Sequence, residues 1–106
     1  MEKKRILIAD DNEDILEAIS VMMAKEGYDI DTARDSRSLL QSDFQLPDLI
    51  LLDVRLSNED GRKICSQLKR QKETKDVPVI IFSVRDSFWP LSNKTWLKFL
   101  FQLHKL

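Results

Sequence analysis

Two short runs of unbroken apolar sequence, each cut off by aspartate, frame the chain. Arg5-Ile6-Leu7-Ile8-Ala9 stops at Asp10-Asp11-Asn12, and Leu49-Ile50-Leu51-Leu52 lies between Asp48 and Asp53. Runs this short and without alternation predict strands covered on both faces. Val77-Pro78-Val79-Ile80-Ile81-Phe82, ahead of Ser83, predicts another strand, with Pro78 tolerated only at its beginning. The segments between follow helical spacing. From Glu13 to Glu26, Ile15, Leu16, Ile19, Met22 and Met23 form one stripe, with Asn12 or Asp11 placed to cap it and Gly27 to end it. Tyr28 to Ala33 alternates weakly as a further strand, second in chain order. Ser36 can cap a short helix through Leu39 and Leu40 before Pro47, and Gly61 to Lys69 sets Ile64, Cys65 and Leu68 on one face of a third helix.

Strands alternating with helices, the inner strands apolar throughout, predict an α/β fold: a parallel sheet wound with helices on both faces through right-handed crossovers. In such sheets functional groups gather beyond the carboxyl ends of the strands. The residues that follow the first, third and fourth strands, Asp10 with Asp11, Asp53, and Ser83, are therefore expected to converge.

Composition narrows the function. The 106 residues are 42% hydrophobic and 33% charged, with a formal net charge of −1, which describes one globular domain and gives no reason to expect nucleic-acid binding. One cysteine, Cys65, and one histidine, His104, exclude an internal disulfide and a Cys/His zinc site of the usual ligand count. The longest stretch without a charge, Val77 to Val84, is far too short to span a bilayer, and no secretory apolar region stands at the N-terminus, so no membrane partner is expected and the default location is the cytoplasm. Residues 87–106 differ from the rest: they hold both tryptophans, three of the five phenylalanines, and Lys94, Lys98 and Lys105 without a single acid.

Singly, an Asp or Ser after a strand caps the next helix or makes a turn. Together, three carboxylates at one sheet edge repel one another unless a cation sits among them, and oxygen-only ligands favour Mg²⁺ or another hard divalent ion. Such an ion would let a phosphate dianion approach a carboxylate nucleophile, with Ser83 offering a hydroxyl to a phosphoryl oxygen.

Over residues 4–86 the chain resembles the receiver domain of two-component response regulators, the CheY-like superfamily. The resemblance rests on residues 5–12, on Pro47-Asp48-Leu49-Ile50-Leu51-Leu52-Asp53 with Gly61 beyond, and on Val77 to Ser83. It implies a flavodoxin-like sheet with strand order 2-1-3-4, Asp53 as the phosphoacceptor, and Mg²⁺ held by Asp11 and Asp53 with Asp10 assisting. The main-chain carbonyl of Arg55 would complete the protein's share of the shell, and Ser83 would be the switch hydroxyl. It also implies a sensor histidine kinase or histidine phosphotransfer protein as donor; with no recognisable output segment after the receiver-like region, the output is expected in a downstream partner protein or in a longer chain of which this is a fragment.

Two departures from the family stand out. Ser57 replaces a common proline four residues after the phosphoacceptor, which is expected to loosen the loop without touching the chemistry. The family's fifth strand, its lysine and its fifth helix are not recognisable; Lys105 lies at a suitable distance from Ser83, but without the expected flanking pattern. The division is thus a receiver-like domain over 1–86 and an aromatic, basic segment over 87–106, helical from about Ser92. That segment is expected to cover the exposed sheet within the chain or to build a homodimer; a membrane-surface helix is the weaker reading, because its apolar residues are not confined to one face. The functional alternatives are a phosphoryl-accepting switch rather than an enzyme, a degenerate receiver-like binding module acting through its C-terminal segment, and a Mg²⁺-dependent aspartyl phosphatase. Arg55 disfavours the last, since it stands where a second acid would be wanted.

Overall fold

The computed structural model describes residues 3–41 and 45–82. The elements in chain order are β1 (Arg5–Ala9), α1 (Glu13–Lys25), β2 (Asp29–Ala33), α2 (Ser36–Leu40), β3 (Leu49–Asp53), β4 (Arg55–Leu56), β5 (Glu59–Asp60), α3 (Gly61–Arg70) and β6 (Val79–Phe82). Among the described residues, strands β2, β1, β3 and β6 form a parallel sheet in that order, so the path runs from β1 outward to β2 on one side and then through β3 to β6 on the other. This is the flavodoxin-like arrangement expected, the fourth strand of the sequence reading being β6. The sequence beyond the fourth strand, where no fifth strand or fifth helix was recognisable, and the whole of 87–106 with Lys105 and His104, lie outside the described residues.

The pleat divides the central strands between two cores. Leu7, Ala9, Ile50 and Leu52 pack on one face with Leu39 of α2 and with Ile64 and Leu68 of α3. Ile6, Ile8, Leu49 and Leu51 point to the other, against Leu16, Ile19 and Met23 of α1. Apolar residues fill both faces because helices cover both, which is why these strands do not alternate. β6 is less enclosed: its four residues are all half-buried among the described residues.

Helix boundaries follow local chemistry. The Asn12 side chain accepts hydrogen bonds from the main-chain N–H groups of Asp14 (2.9 Å) and Ile15 (3.2 Å), so Asn12 is the cap of α1. Gly27 ends that helix at φ 95°, a conformation that disfavours any residue with a Cβ. Asp35 caps α2 through the Ser38 N–H at 2.7 Å, one residue before the Ser36 expected from the sequence. Both side chains can cap; the backbone of Asp35 is extended, as a cap requires, whereas Ser36 is already helical. No described helix is long and apolar enough to cross a membrane.

Candidate functional site

Parallel register sets the site. Ala9 is level with Ala33 on one side and Leu52 on the other, and Asp53 is level with Phe82. The residues that follow β1 and the last residue of β3 therefore reach the same edge together. There Asp10, Asp11 and Asp53 each present a carboxylate oxygen, all within 4.8 Å of one another. They line a pocket of about 320 Å³ with Asn12, Ile15, Arg55 and Asn58. The structure thus gathers three of the four side chains expected to converge; Ser83 lies outside the described residues.

The three carboxylates differ in environment. Asp10 is 1% exposed, the one buried charged residue among those described, while Asp53 is half-buried and Asp11 exposed. Asp10 Oδ1 accepts the Asn12 N–H at 2.9 Å, but its Oδ2 is buried with no hydrogen-bond partner among the described residues. Burial pushes the Asp10 carboxyl up from 3.8 to about 6; the Asn12 N–H opposes the shift, and the negative charges of Asp53 and Asp11 add to it. A proton on Asp10 would turn its repulsion with Asp53 into a hydrogen bond, and a cation would serve both carboxylates at once.

Asp53 is fixed from several directions. The Arg55 N–H meets its Oδ1 at 3.3 Å, and Val54 N–H donates to the Phe82 carbonyl at 2.8 Å, tying the strand's end to β6. Gly61 opens α3 directly against this turn, its N–H on the Val54 carbonyl at 2.7 Å, so close that a Cβ there would overlap the Asp53 carbonyl oxygen. The glycine in the sequence motif is thus a packing requirement of the β3 terminus.

The two-residue strands β4 and β5 were not anticipated, because elements of that length carry no hydrophobic period. They pair antiparallel, Arg55 with Asp60 and Leu56 with Glu59, and the hairpin brings Arg55 and Asn58 to the pocket. Asn58 was missed as a lining residue. The signal available was Ser57-Asn58 as a polar turn after the buried Leu56, asparagine being tolerant of the left-handed region.

An apolar pocket of similar size, lined by Leu7, Leu39, Leu46, Pro47 and Ile50 among others, has among the described residues only Glu73 as an acidic group and no metal-ligating cluster. The chemistry belongs to the carboxylate pocket.

The family model for the response regulator receiver domain matches residues 6–89. The chain belongs to that family. Among curated relatives, the receiver region is 37% identical over 84 residues to the alkaline phosphatase synthesis transcriptional regulatory protein PhoP of Bacillus subtilis, which covers 78% of this chain and 34% of PhoP. It is 39% identical over 80 residues to the DNA-binding dual master transcriptional regulator RpaA of Synechocystis, covering 74% of this chain and 33% of RpaA. The chain thus spans about a third of the length of these relatives. Among solved structures, response regulator TrrA of Thermotoga maritima, crystallised in complex with Mg²⁺-BeF, is 31% identical, with a TM-score of 0.69 over 78% of this chain and 71% of that one. The chemotaxis response regulator CheY4 of Vibrio cholerae, at 22% identity, shares the fold with a TM-score of 0.79 over 96% of this chain and 99% of its own. As a receiver domain of two-component systems, the chain belongs to a family of phosphoacceptor switches whose partners are histidine kinases or phosphotransfer proteins.

The residues present fit a divalent cation. Three oxygen donors lie within 4.8 Å of one another, and a buried carboxylate oxygen lacks any donor, the arrangement a hard cation satisfies.

Proposed function

We propose that this receiver domain accepts a phosphoryl group on Asp53 from a phosphohistidine of a sensor kinase or phosphotransfer protein, in a Mg²⁺-dependent step. The observation that carries the reading is the partnerless, buried Oδ2 of Asp10 beside Asp11 and Asp53: such an oxygen is costly to keep unless the site is completed by a cation. Asp11, Asp53 and the Arg55 main-chain carbonyl would hold the metal, and Asp10 would assist. A Mg²⁺ bound there supplies positive charge that offsets the carboxylates and favours approach of a phosphoryl group.

The chain's own groups do the rest. The Asp53 carboxylate, oriented by the Arg55 N–H, attacks phosphorus; the bond from phosphorus to the imidazole nitrogen breaks, and an acyl phosphate remains on Asp53. Ser83 is assigned the hydroxyl that binds a phosphoryl oxygen and carries the signal away from the site. The acyl phosphate then decays by hydrolysis, so the domain is a switch rather than a turnover enzyme. This function is assigned to residues 1–86.

The reading is tested by the intact mass of the chain after incubation with Mg²⁺ and acetyl phosphate. One added phosphoryl group that requires the metal and is lost in Asp53→Ala supports it. No gain in a folded sample contradicts it and favours a binding module that keeps the fold without the chemistry.

A further inference from the structure

The hairpin β4–β5 supplies a wall of the pocket that the main sheet does not. Its turn residues Ser57 and Asn58 have φ of 48° and 67°, as in the type I′ turn that joins two-residue hairpins. Asparagine tolerates that region, and proline, held near −65°, cannot enter it at position 57. The Ser57 hydroxyl donates to the Arg34 carbonyl at 3.1 Å, and the Ser36 hydroxyl is hydrogen-bonded to Glu59. Ser57 therefore does not loosen this loop: it belongs to a left-handed turn fastened by two side chains to the segment after β2.

The turn places Asn58 among groups of a different kind. The carboxylates of Asp10, Asp11 and Asp53 only accept hydrogen bonds when ionised, the Arg55 guanidinium only donates, and Ile15 does neither. The Asn12 side-chain Oδ1 is committed to the N–H groups of Asp14 and Ile15. Asn58 brings a neutral carboxamide that both donates and accepts, and among the described residues no hydrogen bond engages it.

We propose that Asn58 holds the water that hydrolyses the acyl phosphate on Asp53, and that Ser57 is the residue that positions it. The inference rests on Asp53 being the phosphoacceptor. In this step the water oxygen attacks phosphorus, and the bond from phosphorus to the Asp53 carboxylate oxygen breaks, its electron pair staying on the carboxylate. One water proton passes to a phosphate oxygen, and inorganic phosphate leaves. The attacking water needs an acceptor that adds no negative charge beside the phosphoryl oxygens, which the Asn58 carbonyl oxygen provides and a fourth carboxylate would not.

The test loads the full chain with Mg²⁺ and acetyl phosphate, removes the donor, and follows loss of the phosphoryl group by intact mass. Asn58→Gly keeps the left-handed backbone and deletes the carboxamide. Its decay is expected to be about five- to tenfold slower, what one neutral hydrogen bond to a transition state contributes, a larger change than any in Mg²⁺ affinity by calorimetry or in the rate of phosphorylation. Ser57→Pro, which denies the turn its conformation, is expected to slow decay as far. Asn58→Gly decaying within about twofold of the wild type overturns the inference. So does slower decay accompanied by an equal loss of Mg²⁺ affinity, the mark of a disturbed pocket rather than a misplaced water. A wild type that takes up no phosphoryl group overturns the assignment of Asp53 instead.

Discussion

Gly61 packs directly beneath Asp53: a Cβ on residue 61 would overlap the Asp53 carbonyl oxygen and press on the Val54 backbone at 3.1 Å. The obstructing atoms are main chain, which cannot rotate aside as a flexible side chain can. Gly61→Ala is therefore expected to lower stability by about 2–3 kcal/mol, the upper part of the range for overpacking, and to slow phosphorylation by displacing the end of β3. Denaturant unfolding with the phosphorylation assay checks both; a stable variant with ordinary kinetics would mean that β3 and α3 separate at little cost.

The Asp10 carboxyl makes stability depend on pH in a defined direction. Its ordinary value of 3.8 is raised to about 6 in the fold, so the native state binds the proton more tightly than the unfolded chain does. The stabilising contribution of protonation is fully present below about 3.8 and is lost as pH rises through about 6. Metal-free protein is expected to gain about 1 kcal/mol between pH 7 and pH 5. Asp35 and Asp60, whose carboxyls are held low by hydrogen bonds from Ser38 and Arg62, lose their contributions only in more acidic solution, outside that window. Thermal melts in the presence of chelator measure the slope.

Asp10→Asn separates charge from shape. The amide keeps an oxygen for the Asn12 N–H, which Asp10 Oδ1 accepts at 2.9 Å, and removes the buried charge. The metal-free variant is expected to be more stable than wild type by about 1–3 kcal/mol at pH 7, with the pH slope between 5 and 7 abolished and Mg²⁺ affinity reduced. A variant less stable than wild type would show that the carboxylate has a compensating partner.

Mg²⁺ itself is expected to stabilise the fold, by about 2.7 kcal/mol at a hundred times its dissociation constant, and to flatten the same pH slope by holding Asp10 ionised. Asp11→Asn should weaken this response and, by removing a charge that adds to the upward shift of Asp10, slightly raise the metal-free melt at pH 7. Melts at several Mg²⁺ concentrations provide the measurement.

Asn12 is both a lining residue and a cap, and only the second role has structural partners. Asn12→Ala frees the N–H groups of Asp14 and Ile15 at the start of α1 and should cost about 1 kcal/mol. Asn12→Ser keeps an acceptor without adding a charge beside the three carboxylates and is expected to restore most of that loss, as read by denaturant unfolding.

The sheet and the acidic cluster were legible in the sequence because both depend on strand ends. Ile6 to Ala9 and Leu49 to Leu52 are apolar at every position because both faces are covered, and the carboxylates that stop those runs must lie at one edge once the strands are parallel. The α1 cap was narrowed to Asn12 or Asp11, and hydrogen-bond geometry chose Asn12. Less legible were features set by backbone conformation. The cap of α2 shifted by one residue because Asp35 and Ser36 are adjacent and chemically equivalent for the purpose. The β4–β5 hairpin has too few residues for a pattern, and Ser57 read as a lost proline rather than as the left-handed position it occupies. Gly61 was noted in the motif, but only its contact with the Asp53 backbone shows why a side chain is excluded there.

The central claim is that Asp53 carries the phosphoryl group, and locating that group tests it most directly. Borohydride reduction of the phosphorylated chain converts an aspartyl phosphate to homoserine, and peptide mass mapping then reports the position. The expected result is homoserine at residue 53 in samples treated with Mg²⁺ and acetyl phosphate, absent when chelator replaces the metal. Homoserine at Asp10, Asp11 or any other aspartate, or at none in a folded and Mg²⁺-saturated sample, would contradict the account.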